Sequence, residues 1–198
     1  MFASFNSNEL SDALSGVAGR IRRSLTVVHN GRLGAGAGVV WRSSGLIVTN
    51  NHVIAHGKPR VTLDDGREFP ARILAQDAEI DLALLQIEAN ELPAAPIADS
   101  RSLRVGQMVM AIGHPWGQRA FLTCGIVSGM SQAETRGKRG SVPVIRSDVR
   151  LAPGNSGGPL VDASGAVVGI NTMIVGGDQG IAIPSHVASE FAQQAMKG

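Results

Sequence analysis

This chain is poor in several of the residues on which whole classes of protein depend. One cysteine in 198 residues excludes an internal disulfide framework. That residue, Cys124, lies in a strand-like run and reads as a buried structural thiol. Tyrosine is absent, with only five phenylalanines and two tryptophans, so Val, Ile and Leu must fill the core. The formal charge of +2 gives no reason to expect nucleic acid as a partner. The two local basic clusters, Arg20/Arg22/Arg23 and Arg136/Lys138/Arg139, read as solvated faces. No apolar run is long enough for a membrane span. Histidines and carboxylates show none of the usual ligand spacings, so neither a metal nor another cofactor is expected. Met1 leads into polar residues without a leader-like stretch. A native start there implies the cytoplasm, and a removed leader implies an extracytoplasmic location.

Glycine and short apolar runs are abundant. The runs fall at 37–41, 45–49, 61–63, 69–75, 82–87, 108–112, 122–128, 142–146, 160–161, 166–170 and 181–183, with turn signals between them. Asp65-Gly66 and Ser164-Gly165 are hairpin turns by composition. Many short strands at this spacing predict an all-β barrel or sandwich rather than alternating strands and helices. Two segments depart from that pattern. Residues 9–25 place Leu10, Leu14, Val17, Ala18, Ile21 and Leu25 at helical spacing, with Asn8 as N-cap. Residues 186–197 read as a short closing helix after Pro184-Ser185. Gly34-Ala35-Gly36-Ala37-Gly38 resembles a phosphate loop, yet it runs into the strand-like Val39-Val40-Trp41, which argues against nucleotide binding.

The chemistry centres on Gly154-Asn155-Ser156-Gly157-Gly158-Pro159-Leu160. A serine hydroxyl becomes a nucleophile when a base takes its proton and donors stabilise the oxyanion it creates. Flanking glycines leave Ser156 uncrowded and let backbone N–H groups converge. Upstream lie Thr49-Asn50-Asn51-His52 and Asp81-Leu82-Ala83-Leu84, so the order is His, Asp, Ser. That is the order of the chymotrypsin-type triad. Residues 154–158 also satisfy the nucleophile elbow G-x-S-x-G, but an elbow needs a helix after the serine, and 159–168 reads as strand, turn, strand. Of the other histidines, His29, His114 and His186 have no catalytic context, and His56 follows the His52 signature rather than lying in it. Asp77 sits in a turn, whereas Asp81 opens an apolar strand.

With these stretches the sequence resembles the HtrA (Deg) family of trypsin-like proteases. The matching segments are 49–54, 61–69, 81–87, 111–117, 125–129, 152–160, 167–175 and 180–185, in the family's order. The resemblance implies a chymotrypsin/trypsin-like double β-barrel with short N- and C-terminal helices, divided as 1–23, 24–100, 101–184 and 185–198. It implies a serine endopeptidase acting on unfolded or misfolded proteins through an acyl-enzyme, with His52 as base, Asp81 as its orienting carboxylate and Ser156 as nucleophile. The N–H groups of Gly154 and Ser156 would form the oxyanion hole, with Asn155 turning its carbonyl away. Substrate would add as a strand along Thr172, Met173 and Ile174. The pocket for the residue before the cleaved bond would be lined by Leu151, Ala152, Thr172, Met173, Gly180, Ile181 and Ala182, which predicts small or medium apolar residues there. Arg150, six residues before Ser156, reads as solvent-facing; the alternative is a preference for acidic side chains.

The family pattern is also broken in places. Glu79-Ile80-Asp81 lacks a threonine hydroxyl beside the aspartate, and His114-Pro115-Trp116 replaces Asn-Pro-Phe. Residues 131–143 occupy the regulatory-loop position, whose order could switch the oxyanion turn. The resemblance also implies a homotrimer built through N-terminal aromatic contacts, for which Phe2 and Phe5 could serve. The chain stops near where PDZ modules usually begin, either as a PDZ-lacking member or as a protease domain alone. The alternative function is a catalytically latent peptide-binding or chaperone-like protein on the same fold; esterase activity is disfavoured by the extended substrate strand.

Overall fold

The computed structural model describes residues 7–30, 35–54, 58–114, 121–135, 137–175 and 179–197. Helix α1 (Ser7–Arg22) leads into β1 (Leu25–Asn30), β2 (Ala35–Arg42), β3 (Leu46–Thr49), β4 (Pro59–Leu63), β5 (Glu68–Asp77) and β6 (Leu82–Ile87). After a connecting segment come β7 (Met108–Gly113), β8 (Phe121–Glu134), β9 (Ser141–Ser147), β10 (Pro159–Asp162), β11 (Val167–Val175), β12 (Gln179–Pro184) and α2 (Ser185–Ala195). The strands form two closed antiparallel barrels, ordered β1-β2-β3-β6-β5-β4 and β10-β11-β12-β9-β8-β7. The expected double-barrel fold with terminal helices is the fold observed.

The apolar runs are explained by two-sided burial. In β6, Ala83, Leu85 and Ile87 face the interior of the first barrel, whereas Leu82 and Leu84 face a cluster between the barrels. In β7, Val109 and Ala111 point into the second barrel while Met110 and Ile112 join that same intervening cluster. Strands buried on both faces lose polar alternation and read as continuous runs. The cluster between the barrels also takes Val17 and Ile21 from α1 and Ala188 and Ala192 from α2. Each buried aliphatic side chain there contributes about 1.5–3 kcal/mol.

Three local expectations need correction. The helix ends at Arg22 and Leu25 opens β1, because the Ser24 N–H closes on the Ile21 carbonyl (2.9 Å) and β-branched Thr26, Val27 and Val28 follow. Asn8 accordingly lies inside α1. Cys124 is exposed, because the alternation of β8 turns it to the outer face together with Ile126 and Met130. Residues 131–143 are mostly strand, leaving only a short tip between Glu134 and Ser141. That tip is docked: Glu79 accepts the N–H groups of Lys138 (3.1 Å) and Arg139 (2.8 Å), and the Arg139 guanidinium binds Asp77 (2.6 Å). Arg139 is thus paired with Asp77 while its side chain stays exposed, as a solvated face requires. Phe2, Phe5, Gly34, His56, Pro115, Trp116, Gly117 and Arg136 lie outside the described residues, as does the side chain of Ile174. Among the described residues no helix is long and apolar enough to cross a membrane.

Candidate active site

His52 opens a 3-10 turn just after β3, and Asp81 stands in the turn that leads into β6. Because β3 and β6 are hydrogen-bonded neighbours, with Thr49 opposite Ala83, residues 29 apart in sequence meet. His52 Nδ1 lies 2.8 Å from Asp81 Oδ2, and the His52 backbone N–H donates to Asp81 Oδ1 at 3.0 Å. The Asp81 carbonyl accepts from Asn51 N (3.2 Å) and Asn50 Nδ2 (2.9 Å). Asp81 adopts φ +53°, a left-handed conformation that aspartate tolerates better than most residues. Its side chain is 19% exposed and that of His52 49%. The imidazole thus keeps an open side, while its Nδ1 edge is committed to the carboxylate.

Asp81 has a further partner that the sequence did not disclose. The Thr172 hydroxyl donates to Asp81 Oδ2 in a hydrogen bond that crosses from the second barrel to the first. The hydroxyl missing beside Asp81 in sequence is supplied from 91 residues away. Thr172 lines the cleft beside Ser156, as expected of a pocket residue, while its hydroxyl is committed to the carboxylate. The register of β11 shifts at this residue: Asn171 pairs with Ala182 and Met173 with Ile181, leaving Thr172 between them.

Ser156 lies in a turn made almost wholly of backbone bonds. Asn155 N donates to Ala152 O (2.9 Å), Gly158 N to Asn155 O (2.9 Å), and Gly157 N to Asn171 O (2.9 Å). His114 N donates to Gly154 O (3.1 Å), which ties the turn to the end of β7. Ala37 N donates to Ser156 O (2.8 Å), which ties it to the first barrel. Gly157 sits at φ +82°, and a Cβ there would collide with the Ala37 carbonyl and the Thr49 hydroxyl. The Asn155 carbonyl is turned away to Gly158, and the N–H groups of Gly154 and Ser156 are bonded to no described residue. The Ser156 hydroxyl donates to the Thr172 carbonyl (3.0 Å); no hydrogen bond joins it to His52.

The cleft beside Ser156, of about 280 Å³, is lined by Leu151, Ala152, Pro153, Asn155, Thr172 and Met173. Gly180 packs on Leu151, an added Cβ standing 3.3 Å from its Cδ1. Ile181 lines a separate cavity of about 120 Å³ together with Asp81, Thr172 and Met173. Ala182 is buried in the second barrel, away from both. Arg150 is exposed, its carbonyl accepting from the Thr123 hydroxyl. The remaining described histidines are engaged elsewhere: His29 with Thr62 (3.1 Å), His186 with Ser100 (2.8 Å), and His114 buried beyond β7. Asp77 closes β5 and accepts the N–H groups of Glu79 (2.9 Å) and Ile80 (3.2 Å), which shapes the turn that presents Asp81. Among the described residues there is no cluster of His, Cys, Asp and Glu that could hold a metal ion.

Comparison with known proteins agrees with this fold. The sequence pattern of the family described as "Trypsin-like peptidase domain" matches residues 36–170. The chain is 42% identical over 165 residues to a probable periplasmic serine endoprotease DegP-like of Pseudomonas fulva (strain 12-X), covering 80% of this chain and 34% of that protein. It is 43% identical over 171 residues to the periplasmic pH-dependent serine endoprotease DegQ of Escherichia coli (strain K12), covering 82% and 37% respectively. The solved structure "HtrA-type protease AlgW with tripeptide" superposes with a TM-score of 0.82 at 35% identity, over 93% of this chain and 62% of that one. The chain spans about a third of the length of the curated relatives it matches.

Proposed function

Since the chain belongs to the trypsin-like peptidase family and is an HtrA-type member of it, we propose that it is a serine endopeptidase whose triad is His52, Asp81 and Ser156. The observation that carries this reading is the pair His52 Nδ1–Asp81 Oδ2 at 2.8 Å beside a serine turn with two uncommitted N–H groups. Asp81, held by the His52 N–H and the Thr172 hydroxyl, keeps the proton on Nδ1 and leaves Nε2 as the base. The Ser156 hydroxyl swings from the Thr172 carbonyl to Nε2 and attacks the scissile carbonyl carbon, giving its proton to His52. The N–H groups of Gly154 and Ser156 receive the oxyanion, each worth about 2.7–4 kcal/mol of barrier in comparable hydrolases. The intermediate collapses as His52 protonates the leaving amine. Water, activated by the same imidazole, then releases the acyl group from Ser156 Oγ.

Substrate recognition follows from an incomplete pairing. Strand β10 pairs with β11 only as far as Ile170, whereas β12 accompanies β11 to Val175. Beyond Thr172 one side of β11 therefore continues the lane of β10 without a β10 partner, and Ser156 stands at the head of that lane. An extended peptide added there presents its carbonyl to the serine. Leu151, Ala152 and Met173 favour a small or medium apolar residue before the cleaved bond. Extended binding requires an unfolded segment, so unfolded or misfolded polypeptides are the substrate class. The periplasmic relatives support an extracytoplasmic location.

The serine's bond to the Thr172 carbonyl favours one second reading, a latent resting form that binds peptide without cleaving it. One experiment separates them: casein degradation by the wild-type chain and Ser156→Ala, with fluorophosphonate labelling. Proteolysis abolished in the variant and label on Ser156 is the expected result. Degradation that survives Ser156→Ala overturns the triad, and absence of both degradation and label favours the latent form.

A further inference from the structure

A second cavity, of about 270 Å³, shares no lining residue with the Ser156 cleft. It lies where α1 ends, the segment between the barrels passes and the β10–β11 turn closes. Arg20, Arg23 and Ser24 line it together with Pro93, Pro96 and Ser164. Positions 20, 23 and 24 have the spacing of neighbours on one helical face, carried past the end of α1 by the Ser24 N–H bond to Ile21. Two like charges so placed repel unless an anion lies between them.

The neighbouring charges are accounted for. Arg22 turns away to Asp64 (3.0 and 3.2 Å). Asp162, in the turn behind Ser164, accepts the Ser164 N–H and hydroxyl and the Ala166 N–H. Arg20 and Arg23 make no hydrogen bond or ion pair with any described residue. The Arg20 guanidinium rests over Gly16, where an added Cβ would stand 3.4 Å from Nη1, so the missing side chain gives it a seat. Ser24 supplies the independent observation. It is only 4% exposed, its N–H and C=O are committed to Ile21 and Val40, and yet its hydroxyl has no partner among the described residues. That hydroxyl lines the cavity and is open to it, which leaves it free to donate to a ligand seated there.

We propose that this cavity binds a phosphate monoester, its phosphoryl group held by Arg20, Arg23 and the Ser24 hydroxyl and its organic body lying on Pro93 and Pro96. Two guanidinium forks and a hydroxyl offer more donors than a carboxylate's two oxygens accept in plane, and they suit the three terminal oxygens of a phosphoryl group. The segment holding the prolines bonds to both barrels, through Ala95 N to Val40 O and Ala98 N to Val167 O. A ligand seated there ties α1, that segment and the second barrel together, and so binds the folded state selectively.

The test is calorimetric titration of the chain with phenyl phosphate, inorganic phosphate and benzoate at constant ionic strength, with thermal unfolding in parallel. Phenyl phosphate should bind at one saturable site and raise the unfolding temperature. Arg20→Gln and Arg23→Gln should each weaken it about tenfold, the scale of one lost charge-assisted hydrogen bond. Ser24→Ala should weaken it by less, and all three should degrade casein as the wild type does. Inorganic phosphate and benzoate should both bind more weakly. Non-saturating heats, unchanged affinity in both arginine variants, or benzoate or inorganic phosphate binding as tightly as phenyl phosphate would overturn the proposal.

Discussion

The two barrels contribute to the site by different means. The first contributes chiefly side chains: His52 and Asp81 are joined through carboxylate oxygens, and the Asn50 side-chain amide, with the Asn51 backbone N–H, holds the Asp81 carbonyl. The second contributes a backbone shape: the turn from Ala152 to Gly158 is closed by N–H to carbonyl bonds and by glycines standing where no Cβ fits. A change of chemistry without change of shape should therefore damage the first barrel's share, and a change of shape without change of chemistry the second's. Two bonds cross between these shares, Ala37 N to Ser156 O and the Thr172 hydroxyl to Asp81. They align the parts.

The sharpest way to break that contrast is Asp81→Asn. It keeps the volume and offers Nδ1 a donor in place of an acceptor, so kcat should fall about 10³–10⁴-fold with KM little changed. Steady-state kinetics on a peptide ester would show it, and a loss under tenfold would mean the first barrel's share is also a matter of shape. Next is Gly157→Ala, which adds one methyl group and no chemistry. With φ at +82° and the Ala37 carbonyl in the way, it should cost about 2–4 kcal/mol of stability and most of the activity. Near-normal urea unfolding and turnover would count against the backbone account. Thr172→Val removes the crossing hydroxyl at constant shape. About a tenfold loss in kcat is expected, the scale of one hydrogen bond to a charged group, with restoration by Thr172→Ser. Failure of serine to restore it would assign the loss to packing.

The smallest expected effect lies between the barrels. Asp99 caps the 3-10 turn Ser100–Ser102, and the Arg101 backbone N–H, assisted by its guanidinium, holds the carboxyl below its ordinary 3.8. A lowered folded-state pKa means stability present above the unfolded value and lost as pH falls through the folded one. Asp99→Asn should therefore lower the unfolding temperature slightly at neutral pH and not at all well below pH 3.8. Catalysis should be untouched at either pH.

Much of this architecture is legible in the residues themselves. Asp65-Gly66 and Ser164-Gly165 announce their hairpins, with Gly66 and Gly165 at φ +90° and +86°. The runs at 82–87 and 108–112 announce strands because both faces are buried, which removes any polar interruption. Strand β1 is hidden, since Leu25 continues the apolar spacing of α1 and only the backbone bond from Ser24 to Ile21 marks the break. Cys124 misleads because its outward-facing neighbours Ile126 and Met130 are themselves apolar yet more than 40% exposed. The Thr172–Asp81 bond spans 91 residues and arises from a shift of register, for which the sequence carries no local sign. The docking of the β8–β9 tip on Glu79 is equally silent, because it uses the backbone of residues 138 and 139.

Ring closure has a consequence for how this chain fares in a crowd. An open sheet ends in a row of unpaired amide and carbonyl groups, a template on which another chain can nucleate a growing assembly. Here each barrel closes on itself, β1 meeting β4 and β10 meeting β7, so no described strand stands as a terminal row along its whole length, and the open side of β11 beyond Thr172 is short. That protection matters for a chain with 43% hydrophobic and only 17% charged residues, which has little electrostatic repulsion to keep copies apart. Aggregation should accordingly begin when a barrel opens, in step with unfolding, and not from the native surface.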